Sequence, residues 1–147
     1  MTEPIPQAHV WQVRVYWEDT DAGGVVYHAR YLNFFERART EWLRAHGIEQ
    51  SKLAEQDNRV FAITRMEIDF LKAAKLDDEL DVSVHSVARN GARLEFDQEM
   101  KRRADGKMLC RARVTAVCLE ADSFRPARMP GWIKDKINNA EAMHNGK

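Results

Sequence analysis

Long apolar runs are missing from this chain of 147 residues. No stretch approaches the roughly 18–20 residues that a membrane-spanning helix requires, so no span is expected. An excess of one charge is missing too. The 23 Lys and Arg balance 23 Asp and Glu, which removes the cationic footprint of most nucleic-acid binders. Cysteine is scarce, with only Cys110 and Cys118. They lie in one apolar stretch of strand character, where eight residues at about 3.3 Å each hold them roughly 26 Å apart, beyond disulfide reach. Their shared parity with Ala112, Val114 and Ala116 marks core side chains rather than a redox or metal pair. The opening Met1-Thr2-Glu3-Pro4-Ile5-Pro6 lacks the basic and apolar regions of a signal peptide. Repeats, low-complexity tracts and Pro/Gly/Ser-rich linkers are absent. The expectation is a cytoplasmic protein with one domain over residues 1–147, frayed at 1–8 and from about 142 to 147.

What is present is ordinary globular material, 44% apolar and 31% charged, long enough to bury about two thirds of its unfolded surface. Val10 to Trp17 is β-branched and aromatic and reads as a strand. Glu18-Asp19-Thr20-Asp21-Ala22-Gly23-Gly24 follows as turn chemistry. From Arg30 to His46, Tyr31, Phe34, Phe35, Ala38, Trp42 and Ala45 recur at helical period, and Glu36, Arg37, Arg39, Glu41 and Arg44 face away. Gly47 ends that helix, and residues 49–56 form a short second one. Phe61 and Ile63 share one parity and Met66, Ile68 and Phe70 the other, so a bulge interrupts this strand. Three alternating strands joined at Asn90-Gly91 and Asp105-Gly106 make an antiparallel meander over 78–121. Pro130-Gly131-Trp132-Ile133 opens a short C-terminal helix. One aromatic helix wrapped by one curved antiparallel sheet is an α+β arrangement, whose exposed edges favour dimerisation.

Chemistry concentrates in the turn 18–28. A calcium loop fails there: Asp19, Asp21 and Gly24 match positions 1, 3 and 6, but Gly23 and Arg30 stand where ligands belong. A solvated acidic turn and a catalytic turn both remain. The catalytic reading rests on an Asp held by a Gly-rich turn just before a helix. Such a carboxylate can attack a carbonyl or deprotonate water, and the helix N–H groups can hold an oxyanion.

The run Tyr16-Trp17-Glu18-Asp19-Thr20-Asp21-Ala22-Gly23-Gly24-Val25-Val26-Tyr27-His28-Ala29-Arg30-Tyr31, continued by Phe34-Phe35-Glu36-Arg37-Ala38-Arg39-Thr40-Glu41-Trp42-Leu43-Arg44, closely resembles the YbgC-type acyl-CoA thioesterases. These belong to the 4-hydroxybenzoyl-CoA thioesterase group and are associated with the Tol-Pal cluster of Gram-negative bacteria. Ile68-Asp69-Phe70-Leu71-Lys72 and Leu76-Asp77-Asp78-Glu79-Leu80 extend the likeness. The resemblance implies a hotdog fold of about five strands, active sites at a homodimer interface, and a homodimer or homotetramer. It implies Asp21 as the catalytic carboxylate and His28, by its backbone N–H, as the polariser of the thioester carbonyl. Trp17 stands where some members carry a Tyr as third partner, and Trp can neither titrate nor accept a hydrogen bond. Ala73 stands where relatives often have Pro.

The implied reaction is hydrolysis of acyl-CoA to free acid and CoA, with Asp21 as nucleophile or general base. No cofactor or metal is called for, CoA being part of the substrate. Gly24, Tyr27, Tyr31, Arg89 and Arg93 are candidate substrate-binding residues. A second basic group, Lys101, Arg102, Arg103, Lys107, Arg111 and Arg113, is either a CoA phosphate surface or a solvated hairpin. Acyl carrier protein or phospholipid-synthesis enzymes are plausible partners by the same resemblance. The rival reading is a non-catalytic acyl-carrier or lipid-enzyme adaptor on the same scaffold, and a hotdog dehydratase is a further one whose usual motif is not seen here.

Overall fold

The structure, a computed structural model, describes residues 9–89 and 91–145, with side chains described for all of these except 87–89 and 140–145. Strand β1 (His9–Arg14) and a 3-10 turn (Trp17–Asp19) lead into α1 (His28–Ala45) and α2 (Gln50–Asp57). Strands β2 (Arg59–Phe70), β3 (Glu79–Arg89), β4 (Arg93–Arg102) and β5 (Met108–Glu120) follow, and α3 (Gly131–Asn145) closes the chain. The five strands form one antiparallel sheet in the order β1-β3-β4-β5-β2. One long helix lies on one face of this curved sheet, which is the hotdog arrangement the resemblance implies. The tail expected at residues 1–8, the last two residues of the tail expected to end at 147, and Asn90 of the first hairpin lie outside the described residues.

The core is the contact between α1 and the inner face of the sheet. Tyr31, Phe34, Phe35, Ala38 and Trp42 are buried as their spacing requires, against Leu80, Val82 and Val84 of β3, Leu94, Phe96 and Met100 of β4, and the alternate residues 110–118 of β5. Cys110 and Cys118 are free, buried members of that β5 row, and burial pushes the Cys110 thiol up to about 12. Gly47 ends α1 with φ 79°, and Ile48 then joins the core.

Four local readings need correction. The first strand stops at Arg14 because Asp19 captures the backbone: its Oδ2 accepts from the Tyr16 N–H at 2.9 Å, and its own N–H donates to Tyr16 O at 3.0 Å. Trp17 therefore starts a turn instead of ending a strand. Ala45, the last residue of the apolar stripe, is exposed, because the stripe has rotated off the sheet by the final turn. Arg39, expected to face solvent, is only 7% exposed; it flanks the stripe and packs its guanidinium 5.9 Å from the centre of the Phe96 ring. The C-terminal helix runs through Asn145 and is not short. The bulge in β2 falls where parity put it, between Ile63 and Arg65.

At the far end of α1, His9 of β1 sits near His46 and Glu41. Burial, then the His46 charge, hold its pKa below 6.5, with Glu41 opposing. A folded imidazole that loses its proton more readily than the unfolded one costs stability as pH falls below that value and costs nothing well above it. The melting temperature of wild type is expected to fall behind that of His9→Gln progressively as pH drops below about 6.5; an unchanged gap between the two proteins contradicts the assignment.

Candidate active site

The loop between the 3-10 turn and α1 is clamped at both ends. Asp19 O accepts from the Tyr27 N–H at 2.8 Å, and Val26 N–H donates to Ala74 O at 2.9 Å. Thr20 bridges to Val26 and Val25 to Lys75. Inside that clamp Asp21 closes the turn itself: its N–H donates to Val25 O at 2.9 Å, and its carbonyl accepts from the Gly24 N–H at 3.0 Å. The carboxylate is exposed, and its Oδ1 accepts from the Gly23 N–H at 2.8 Å. A Cβ on Gly23 would stand 3.2 Å from that same oxygen, so a side chain there crowds the carboxylate.

Gly24 has φ 80° with open space around it. Gly24→Ala therefore meets a conformational cost without a clash, of about 1–2 kcal/mol. A fall in melting temperature of about 2–8 °C is expected, and a fall below that range places the strain elsewhere.

Tyr27 precedes α1 with extended backbone (φ −63°, ψ 135°) and offers no side-chain cap. The N–H groups of His28 and Ala29 meet no acceptor among the described residues, while the Arg30 N–H turns back to Tyr27 O at 2.8 Å. An uncapped helix start is a set of fixed donors carrying a partial positive charge. The exposed His28 ring lies 4.5 Å from that of Tyr27.

Tyr31, one turn on, is buried. Its hydroxyl accepts from the Ala74 N–H at 3.0 Å, and its ring meets Phe70 edge-on at 5.4 Å. Burial raises the pKa of Tyr31 most; the Ala74 hydrogen bond opposes, and the charges of Cys110, Asp78 and Asp21 add to the rise. Asp21, Tyr31 and the start of α1 thus share one neighbourhood, walled by the half-exposed Phe70.

Arg93 does not join it. It is exposed at the far end of β4 from Arg102, about 30 Å away at strand rise. Arg102 is the end nearer the loop, since it donates to Ala73 O at 3.2 Å and to Asp78 at 3.2 Å. Arg89 pairs with Arg93 in the β3–β4 ladder, and its side chain lies outside the described residues. Most of the second basic group is ion-paired: Arg102 with Asp78 and Asp105, Arg103 with Glu79, Arg111 with Asp69, Arg113 with Asp97, and Lys101 with Glu99.

Asp19 is the residue that sequence reasoning undervalued. It is 6% exposed, caps the 3-10 turn, and lies 3.5 Å from Arg30 Nε, whose Nη2 also donates to Glu18 O at 3.2 Å. Two neighbouring acids therefore divide the work, one buried as the brace of the loop and one presented to solvent. Trp17 is 78% exposed, and its carbonyl receives both the N–H and the hydroxyl of Thr20. Among the described residues no group of three His, Cys, Asp or Glu side chains is placed to hold a metal ion, and no helix is long and apolar enough to cross a membrane.

Residues 15–137 match the family model of the thioesterase-like superfamily. The chain is 46% identical over 122 residues to the acyl-CoA thioesterase YbgC of Haemophilus influenzae, covering 83% of this chain and 88% of that protein. It is 41% identical over 123 residues to the acyl-CoA thioester hydrolase YbgC of Escherichia coli O157:H7, covering 84% and 90%. A solved structure of a probable thioesterase from Bartonella henselae superposes with a TM-score of 0.78 at 38% identity, over 84% of this chain and 99% of that one. On the strength of the matched family model and of that identity across most of both chains, this chain belongs to the thioesterase-like superfamily, within its YbgC branch of acyl-CoA thioester hydrolases.

Proposed function

We propose that the chain hydrolyses acyl-CoA to a free acid and CoA, with Asp21 as the acting carboxylate and the start of α1 as the oxyanion site. The observation that carries the reading is one exposed carboxylate, fixed on a clamped turn, beside helix N–H groups that have no partner among the described residues. The thioester oxygen gains negative charge as the carbonyl carbon becomes tetrahedral, and preorganised donors stabilise that charge more than the ground-state dipole. In one route Asp21 attacks the carbonyl carbon, the C–S bond breaks, CoA leaves as thiolate, and water resolves the mixed anhydride. In the other Asp21 takes a proton from water as the water attacks, and the same bond breaks. Label entering the Asp21 peptide during turnover in ¹⁸O-water identifies the first route, since water opening the anhydride at the Asp21 carbon leaves its oxygen there and the second route leaves none.

The site is completed by a second copy of the chain. Among the described residues, strand β2 pairs only with β5, and β1 only with β3. The β2 side carries the exposed apolar residues Ile63, Phe70 and Leu71, with Tyr27 and Leu32 of the helix entry beside Asp21. An open strand edge flanked by apolar side chains is a pairing surface, and a dimer formed there encloses the thioester. The test is free-thiol release from a panel of acyl-CoAs, alongside sedimentation at assay concentration. Thiol release by a species of twice the 17.0 kDa chain mass is expected; no release from any acyl-CoA leaves the adaptor reading in its place.

A further inference from the structure

A cavity of about 140 Å³ opens between α1 and the inner face of β2. Leu43, Phe61, Ile63 and Phe96 make its apolar wall, and Arg39 lines it from α1 together with the neighbouring Glu36 and Thr40. Arg39 as a whole is 7% exposed. One of its five N–H groups is used: Nη1 donates to Gln98 Oε1 at 3.0 Å, and the Gln98 amide in turn donates to Phe35 O at 3.0 Å. Among the described residues no carboxylate lies within ion-pairing distance of it. Glu36, on the same helix, is exposed and accepts instead from the Thr40 hydroxyl at 3.0 Å. Burial lowers the Arg39 pKa, against the more distant pull of Glu36. A buried cation with spare donors and no ion pair is incomplete until an acceptor reaches it.

We propose that this cavity receives the far end of the acyl group, and that Arg39 selects acyl groups bearing a hydroxyl or carboxylate oxygen there. The inference rests on the thioester lying at the start of α1. Its geometry is one of length along a rigid helix. Arg39 follows His28 by eleven residues, which is about 16 Å along the axis. The inner face of β2 runs beside that path, from Phe70 against Tyr31 through Ile68 and Met66 to Ile63 at the cavity. Met66 and Ile68 are only partly buried, so an apolar wall is available between the two ends. An extended hydrocarbon with C–C bonds of about 1.5 Å advances by about 1.3 Å per bond. About ten to twelve carbons therefore place the last atom beside the guanidinium.

Matched ten- and twelve-carbon acyl-CoAs ending in methyl, hydroxyl or carboxylate, together with a four-carbon acyl-CoA, test this by free-thiol release. Wild type is expected to favour an oxygen-ended chain over the methyl-ended one by about tenfold or more in kcat/KM, the worth of one hydrogen bond to a charged group. The hydroxyl and carboxylate arms then identify which oxygen is used. Arg39→Met is expected to bring the ratio to about one, and Arg39→Lys to retain most of it. Methyl-ended chains hydrolysed as well as the others by wild type overturn the proposal, and so does a preference that survives Arg39→Met. Should Arg39→Met fail to fold, the wild-type ratio and its retention in Arg39→Lys decide the matter. Silence on every substrate, the four-carbon one included, overturns the hydrolase reading itself, which a lost preference with thiol still released does not.

Discussion

Asp21→Asn is expected to lower kcat/KM for acyl-CoA hydrolysis by about 10²- to 10⁴-fold, the range for removing a positioned acid–base group, while leaving the melting temperature unchanged. The substitution is nearly isosteric. Asn Oδ1 can still accept from the Gly23 N–H, which Asp21 Oδ1 now does at 2.8 Å, so the turn keeps its lock. What goes is the charge: the amide neither attacks a carbonyl nor takes a proton from water. Asp21 is exposed and outside the core, so its stability effect should fall within about 0.5 kcal/mol. Asp19→Asn is the informative partner variant. Asp19 is buried, accepts from the Tyr16 N–H and faces Arg30, so its loss should lower the melting temperature and affect turnover through the loop. Activity retained in Asp21→Asn and lost in a well-folded Asp19→Asn would transfer the catalytic role to Asp19.

The largest stability effect is expected from Phe35→Ala. Phe35 is fully buried, at the centre of the α1 stripe over the sheet, and its carbonyl anchors the Gln98 amide. Removing a buried aromatic ring costs about 3–5 kcal/mol in lost transfer energy and cavity, a large part of the roughly 5–15 kcal/mol available to a domain. Urea unfolding should show a markedly lower midpoint with an unchanged slope. Leu32→Ala on the same helix supplies the contrast, because Leu32 is exposed and its truncation leaves no cavity. Equal losses for the two variants would mean that helix propensity, rather than packing against the sheet, sets the stability of α1.

The sequence made α1 legible because a 3.6-residue period was written in large aromatic residues, and the β2 bulge legible because hydrophobic parity switched between Ile63 and Met66. Arg39 escaped the same logic. Its charge predicted solvent, whereas the ring of Phe96 and the side-chain amide oxygen of Gln98, 59 residues away, make a buried position tenable. The end of β1 escaped for a related reason, since a side chain three residues ahead, Asp19, competes for the Tyr16 backbone. In the site, Asp21 and His28 were visible as a motif. The placement of Ala74 against both Val26 and Tyr31 was not, because that contact joins segments far apart in the chain. Strand parity could not place Arg93 relative to Asp21, because alternation does not say which end of β4 lies near the loop; the Arg102 contacts with Ala73 and Asp78 settle that.

The bulge at Ile63–Arg65 also bears on how this protein can change length. On either side of it the inner-facing residues fall on opposite parities, with Thr64 between them. Deleting Thr64 would bring Phe61, Ile63, Met66, Ile68 and Phe70 onto one unbroken alternation, so the apolar wall would keep its direction. A deletion two residues to either side would instead turn part of that wall outward. Loss of Arg65 in place of Thr64 has the same result, so the edge strand contains one place, between Ile63 and Met66, where a residue can be lost without inverting a face, and what changes there is the bend of the strand around the helix.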